Sequence, residues 1–171
     1  MLKRMIAAMW RCAPNMWRCA PKWVRRGGVL LTESRFTVTA AAVVTDARGR
    51  VLLLRHRFRP GSGWGIPGGF IHPREQPEDA LRRELREEIG LEIAAVRLAG
   101  IRTLQKYRQV EIIFHCHPLE QNLAGEFSPR NFEISRAEWF ALGSLPEGLS
   151  DDQRELIARA LNGGNDESLR Y

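Results

Sequence analysis

The 171-residue chain is long enough for one compact domain with a sizeable core, and its 44% apolar and 27% charged residues are ordinary for a soluble globular protein. The net charge of +6 does not make the body a nucleic-acid binder: residues 1–35 hold eight Lys/Arg against one acidic residue, Glu33, whereas the rest of the chain holds 18 against 19. Cys12, Cys19 and Cys116 show neither a pairing pattern nor zinc-ligand spacing, which argues against a disulfide framework and for a reducing interior, and no apolar stretch reaches the roughly 20 residues of a membrane-spanning helix.

The basic leader opens with Lys3 and Arg4, and its apolar run Ile6-Ala7-Ala8-Met9 is too brief for a signal peptide, so a cytoplasmic protein is expected. It contains a tandem duplication: Met9-Trp10-Arg11-Cys12-Ala13-Pro14 recurs as Met16-Trp17-Arg18-Cys19-Ala20-Pro21. Two readings stand. One is a recent copy in a weakly constrained tail, with Met16 as an alternative start; the other is a Trp-bearing basic segment resting on an anionic membrane surface. Pro14 and Pro21 interrupt any helix that would align the tryptophans, which favours the first.

From Arg35 the pattern changes. Residues 36–44 are apolar and β-branched enough to be a buried strand, Asp46-Ala47-Arg48-Gly49 makes a turn, and Val51-Leu52-Leu53-Leu54 reads as the antiparallel partner. The Gly/Pro-rich stretch 60–69 predicts a loop with a short strand at most. A helix is predicted from Pro77 to Ile89, with Pro77 in its first turn, Glu78 and Asp79 at its positive end and Gly90 as terminator. Strands follow at 92–103, 110–116 and 137–142, and Ser150 caps a last helix running to Leu161, closed by Gly163-Gly164. The expected class is α/β, a mixed α+β sheet covered on both faces, with residues 36–162 as the domain and 163–171 as a polar tail.

On a wheel at roughly 100° per residue, Leu81, Leu85 and Ile89 form an apolar stripe bordered by Glu84, Glu87 and Glu88, while Arg82, Arg83, Arg86 and Asp79 take the remaining sector. A solvated face mixes its signs, because like charges at i,i+4 cost a few tenths of a kcal/mol. Three carboxylates beside a buried stripe call for a compensating cation, and Mg²⁺ or Mn²⁺ with oxygen ligands supplies one. An acidic surface patch explains the helix alone equally well.

The flanking sequence separates the two. Gly69, five residues, Glu75, seven residues, then Arg83-Glu84-Leu85-Arg86-Glu87-Glu88-Ile89-Gly90-Leu91 resembles the Nudix box at all nine specified positions, a chance match on the order of 10⁻¹⁰ per window. The resemblance runs over residues 36–162 and implies an α/β/α sandwich. It also implies hydrolysis of a diphosphate linkage in a nucleoside diphosphate derivative, such as ADP-ribose, a dinucleoside polyphosphate or a nucleoside triphosphate. By the same resemblance Glu84 and Glu88 bind the metal, Glu87 is a further ligand or the water-activating base, and the Gly68 or Gly69 carbonyl lies near the ion. Arg83 orients the carboxylates, Glu75 braces the loop–helix junction, Gly90 ends the helix, and Glu133, six residues before Trp139, matches a position that adds a ligand or the base.

His72 and Arg74 depart from the Glu and Gly frequent at those places, which puts in doubt any carboxylate role at 72. Arg55, His56, Arg57 and Arg59 follow the second strand and suit phosphate or ribose as well as they suit a solvated loop. Tyr107 resembles a position associated with dinucleoside polyphosphate hydrolases and fits a core or surface Tyr equally. A non-catalytic Nudix-fold binding module is the rival reading; it is expected to have lost box carboxylates that this chain keeps. The expected partner is a small nucleotide, with no nucleic acid; a homodimer and a leader–membrane contact are both compatible with the sequence.

Overall fold

The computed structural model describes residues 21–24, 27, 34–119 and 128–162. The chain divides into two compact units, Met1–Phe36 and Thr37–Tyr171. In the first, residues 22–24 are helical. Residues 9–20 of the duplication, and residues 163–171 with the Gly163-Gly164 stop, lie outside the described residues.

The second unit runs β1 (Thr37–Val44), β2 (Val51–His56), β3 (Trp64–Gly65), β4 (Gly68–Phe70), α1 (Pro77–Ile89), β5 (Ile93–Leu104), β6 (Gln109–Pro118), β7 (Ile134–Phe140) and α2 (Asp151–Leu161). One sheet has the order β4-β1-β6-β5, the other β3-β2-β7. The expected β1–β2 hairpin does not form. A single bridge, Thr45 to Val51, is all that joins them. Both edges of β1 are occupied, by β4 antiparallel and by β6 parallel from Thr37↔Gln109 to Val44↔Cys116. β2 pairs instead with β3 and β7. The predicted turn is real, with the Asp46 carboxylate accepting from the Arg48 and Arg50 N–H groups at 3.0 and 2.8 Å. It passes the chain into the second sheet, not back along the first.

Alternation along the strands builds two apolar layers. Ala40, Ala42 and Val44 of β1 join Leu52 and Leu54 of β2 in a cluster with Leu81, Leu85 and Ile89 of α1. Ala41 and Val43 join Val51 and Leu53 in a cluster with Leu156, Ile157 and Ala160 of α2. Helices therefore cover both faces of the strands, giving the α/β/α arrangement. Each fully buried leucine, such as Leu81 or Leu85, contributes roughly 1.5–3 kcal/mol of burial. No helix among the described residues is long and apolar enough to cross a membrane.

Two predicted boundaries move. The loop at 60–69 contains two short strands, with Gly65 paired to Leu54 of β2 and Gly69 to Ala40 of β1. The strand expected at 137–142 is Ile134–Phe140, followed by a 3₁₀ turn at Leu142–Ser144.

Candidate active site

α1 begins after an extended Gln76 with Pro77 in its first turn and ends at Gly90, whose φ of 72° is left-handed. The Gly90 N–H reaches the Arg86 carbonyl and the Leu91 N–H the Leu85 carbonyl, which closes the last turn. This fixes the acidic sector of α1 relative to β4, where the glycines lie. Gly68, with φ 152°, passes so close to β1 that a Cβ would overlap the Ala40 carbonyl oxygen. At Gly69 a Cβ would fall on the carboxylate of Glu84. Glycine there is a steric condition for Glu84 to stand beside the β4 backbone.

Arg83 ties the box together. Its Nε and Nη2 donate to the two oxygens of Glu75 at 2.8 and 3.0 Å, Nη1 donates to Glu84 Oε1 at 2.8 Å and Glu87 Oε2 at 3.4 Å, and Nη2 also reaches the Phe70 carbonyl at 3.0 Å. The Arg83 fork, helped by the His72 N–H at 2.9 Å, holds the Glu75 carboxyl down at about 2. The same pairing raises the Arg83 guanidinium above its ordinary value. Glu75 thus clamps the 70–75 loop to α1.

The three carboxylates on α1 are not equivalent. The Glu87 side chain is 57% exposed and that of Glu84 17%. Glu88 is buried at 4% and its Oε2 has no hydrogen-bond partner. Burial pushes its carboxyl up to about 8; the charges of Glu84 and Glu133 push the same way, while Arg59 and a hydrogen bond from the Gly68 N–H oppose them. Glu133 stands at the edge of this group because its loop docks on the end of α1. The Arg130 N–H donates to the Glu88 carbonyl at 2.8 Å, and the Asn131 side chain accepts from the N–H groups of Glu133 and Ile134 at 3.1 and 2.9 Å.

Other sequence candidates make contacts of their own, and the Arg57 N–H donates to the Glu133 carbonyl at 2.8 Å. Arg55 donates to the Ser62 carbonyl at 3.2 Å, and Arg57 lies over the Phe132 ring at 5.5 Å. Tyr107 is 64% exposed on the 3₁₀ turn Gln105–Tyr107, with Lys106 over its ring. His72 is exposed and contributes its backbone to Glu75. Arg74 has φ 72°, which accounts for the glycine frequent at that place in the box pattern.

Arg59, one of the arginines read after the second strand, and Glu111, which the sequence reading passed over, also stand at the site. Glu111 on β6 is paired to Arg102 at 2.6 Å, and Arg102 also reaches Asp152 at 2.6 Å. Its sequence signal was a charge inside the otherwise apolar β6 run Val110-Glu111-Ile112-Ile113-Phe114. The opposite charges that act on Arg59 are those of Glu111 and Glu88.

No three His, Cys, Asp or Glu side chains among the described residues converge as a ready-made metal site. Glu84 and Glu88 nevertheless fit Mg²⁺ or Mn²⁺. The donors are hard oxygens, Glu88 Oε2 is buried and unpartnered, and the Gly69 cradle leaves room beside Glu84. Mg²⁺ is commonly held by one or two carboxylates, with substrate phosphates and water completing the shell.

Residues 35–160 match the NUDIX domain family. The NAD-capped RNA hydrolase NudC of Pseudomonas aeruginosa is 33% identical over 111 residues, which are 64% of this chain and 38% of that protein. An RNA pyrophosphohydrolase of Pseudomonas savastanoi pv. phaseolicola is 39% identical over 83 residues, 48% of this chain and 51% of that protein. The chain therefore spans between about two fifths and a half of these relatives' length. Among solved structures, a MutT NUDIX hydrolase from Burkholderia pseudomallei is similar with a TM-score of 0.63 at 26% identity, over 74% of this chain and 98% of that one.

Proposed function

This chain belongs to the NUDIX family, and on that premise we propose that it hydrolyses a diphosphate linkage in a nucleoside diphosphate derivative. Mg²⁺ or Mn²⁺ is the cofactor of this reading, with Glu84 and Glu88 as its protein ligands and the Gly69 backbone beside it. The observation that carries the reading is the buried Glu88 carboxylate, one oxygen unpartnered, next to Glu84 and across from a glycine that cannot take a side chain.

When bound, the cation supplies charge neutralisation at the diphosphate oxygens and acidifies water. The residues of the chain do the rest. Arg83 holds Glu84 in place, and its other edge is anchored by Glu75, so the carboxylate is positioned before substrate arrives. Glu87 and Glu133 are the carboxylates free to take a proton from the attacking water. Glu87 shares Arg83 at 3.4 Å, whereas Glu133 has no ion pair among the described residues. The apolar stripe of α1 closes the site from beneath and keeps Glu88 dry.

A phosphate-release screen with Mg²⁺ and Mn²⁺ tests the reading, over ADP-ribose, NADH, dinucleoside polyphosphates, nucleotide sugars and nucleoside triphosphates. The names of the relatives add NAD-capped RNA and RNA itself. Hydrolysis of at least one substrate, lost in Glu88→Gln, is the expected result; full activity in that variant would place the site elsewhere.

A further inference from the structure

A helix ends in carbonyls that have no partner within it, and an end packed against a sheet must find donors elsewhere. α2 is tied at both ends. Ser150 caps its N-terminus, and Arg102 of β5 reaches Asp152 in its first turn at 2.6 Å. At the other end the carbonyl of Ala160, a residue only 2% exposed, accepts from Arg97 Nη2 of β5 at 2.9 Å. Between the two ties a cleft of about 260 Å³ lies between β5 and α2, lined by Gly100, Ile113 and Leu156 among others.

The second tie depends on an imidazole. The same Arg97 Nη2 lies 3.3 Å from His115 Nδ1 on β6. Arginine only donates, so this nitrogen accepts, and the His115 proton sits on Nε2, which donates to Thr45 Oγ1 at 2.8 Å. Neutral His115 thus satisfies both neighbours. A second proton has no place, because it would set one N–H against another on a guanidinium. His117, whose ring lies edge-on to that of His115 at 5.0 Å, differs. Its Nδ1 donates to the Thr45 carbonyl at 2.9 Å and no described residue partners its Nε2, so it can be protonated without losing a bond. Burial, then the charges of His117 and Arg97, hold the His115 imidazole below the ordinary 6.5. Other charges on the surrounding elements are spent, Asp46 on Arg50 and Glu155 of α2 on Arg159.

We propose that Arg97 and His115 form an acid-released strap: a proton on His115 expels Arg97, and the last turn of α2 comes away from β5. The first turn stays tied through Arg102 to Asp152, a contact that involves no imidazole, so the cleft opens at its Ala160 end. The native state resists the proton more than the unfolded chain does. The strap therefore contributes fully above pH 6.5, and its contribution is lost as pH falls from there through the lower folded-state value. Among the described residues His115 and Arg97 touch none of the α1 carboxylates, which makes the strap independent of the hydrolase reading.

Amide hydrogen exchange of the full chain from pH 7.5 to 4.5, corrected for the chemical rate at each pH, reads the strap, with NMR titration of the histidine rings alongside. In wild type the amides of the last α2 turn should lose roughly 5- to 150-fold protection as His115 titrates, the range for a buried carbonyl left without its donor. Amides of β6 should not follow. His115→Asn keeps an acceptor near the Nδ1 position and cannot titrate, so its last turn should hold its protection throughout. Arg97→Ala removes the strap itself: the turn should be unprotected at every pH, and His115, freed of its cation, should titrate closer to 6.5. His117→Asn should retain the wild-type transition. A wild-type turn equally protected across the range, a transition that survives in His115→Asn, or one that vanishes with His117 instead overturns the strap. Should His115→Asn fail to fold, Arg97→Ala decides alone, because a wild-type transition persisting in that variant has the same force.

Discussion

Glu88→Gln should stabilise the metal-free protein while abolishing its activity, and the stabilisation should grow with pH. In the folded chain burial, with Glu84 beside it, moves the Glu88 carboxyl from an ordinary 4.5 to about 8. The native state then binds this proton more tightly than the unfolded chain does. That contribution to stability is fully present below pH 4.5 and is lost as pH rises through 8. At about 1.36 kcal/mol per pH unit the full separation corresponds to about 5 kcal/mol, of which about 3 is gone by pH 7 and about 1 by pH 5. Gln keeps the shape, still accepts from the Gly68 N–H, turns an amide donor toward Glu84 and does not titrate.

The assay is urea unfolding in chelator at pH 5 and pH 8, for wild type and Glu88→Gln. The variant's advantage should be about 3 kcal/mol larger at pH 8 than at pH 5, or roughly 6–12 °C in Tm for a domain of this size. Saturating Mn²⁺ should reverse the order, because only wild type then gains binding energy. An advantage equal at both pH values, or a variant less stable at pH 8, would refute the reasoning.

Gly69→Ala puts a methyl where the Glu84 carboxylate stands, so kcat should fall about 100-fold or more from a misplacement near 1 Å, with Mn²⁺ affinity falling alongside. Arg83→Lys keeps the charge and loses the fork to Glu75 and the bond to the Phe70 carbonyl; denaturation should show a loss of roughly 1–3 kcal/mol and turnover should fall with it. Arg74→Gly relieves a left-handed arginine at an exposed turn, and urea unfolding should show a gain of up to about 1 kcal/mol without a change in kcat.

Much of α1 was legible because its signals are local. Pro77, the acidic first turn, Gly90 and the 3.6-residue stripe all act within a few residues of one another, and the helix spans Pro77–Ile89. The resemblance to the box gave Glu75 as a brace of the loop–helix junction; in the structure it pairs with Arg83 at 2.8 Å. The β1–β2 hairpin was misread because two apolar runs joined by a turn look alike whether they pair or part. What decides is β6, about seventy residues later, which takes one edge of β1, and β4, which takes the other. The arginines after β2 stand together in the sequence, yet Arg55 donates to the Ser62 carbonyl and Arg57 lies over Phe132, contacts with residues that the strand itself does not contain.

The sequence by itself determined which residues are the candidates for the chemistry. Spacing along one helix puts Glu84, Glu87 and Glu88 in one sector whatever surrounds it, and the complete box identifies the family. Tertiary structure decided what each of those residues is worth. Burial against the sheet leaves Glu88 protonatable near neutral pH, the passage of β4 over α1 fixes Glu84 beside Gly69, and Arg83 draws on Glu75 from another loop. Desolvation and close approach depend on what lies across the gap, and no span of local sequence contains that.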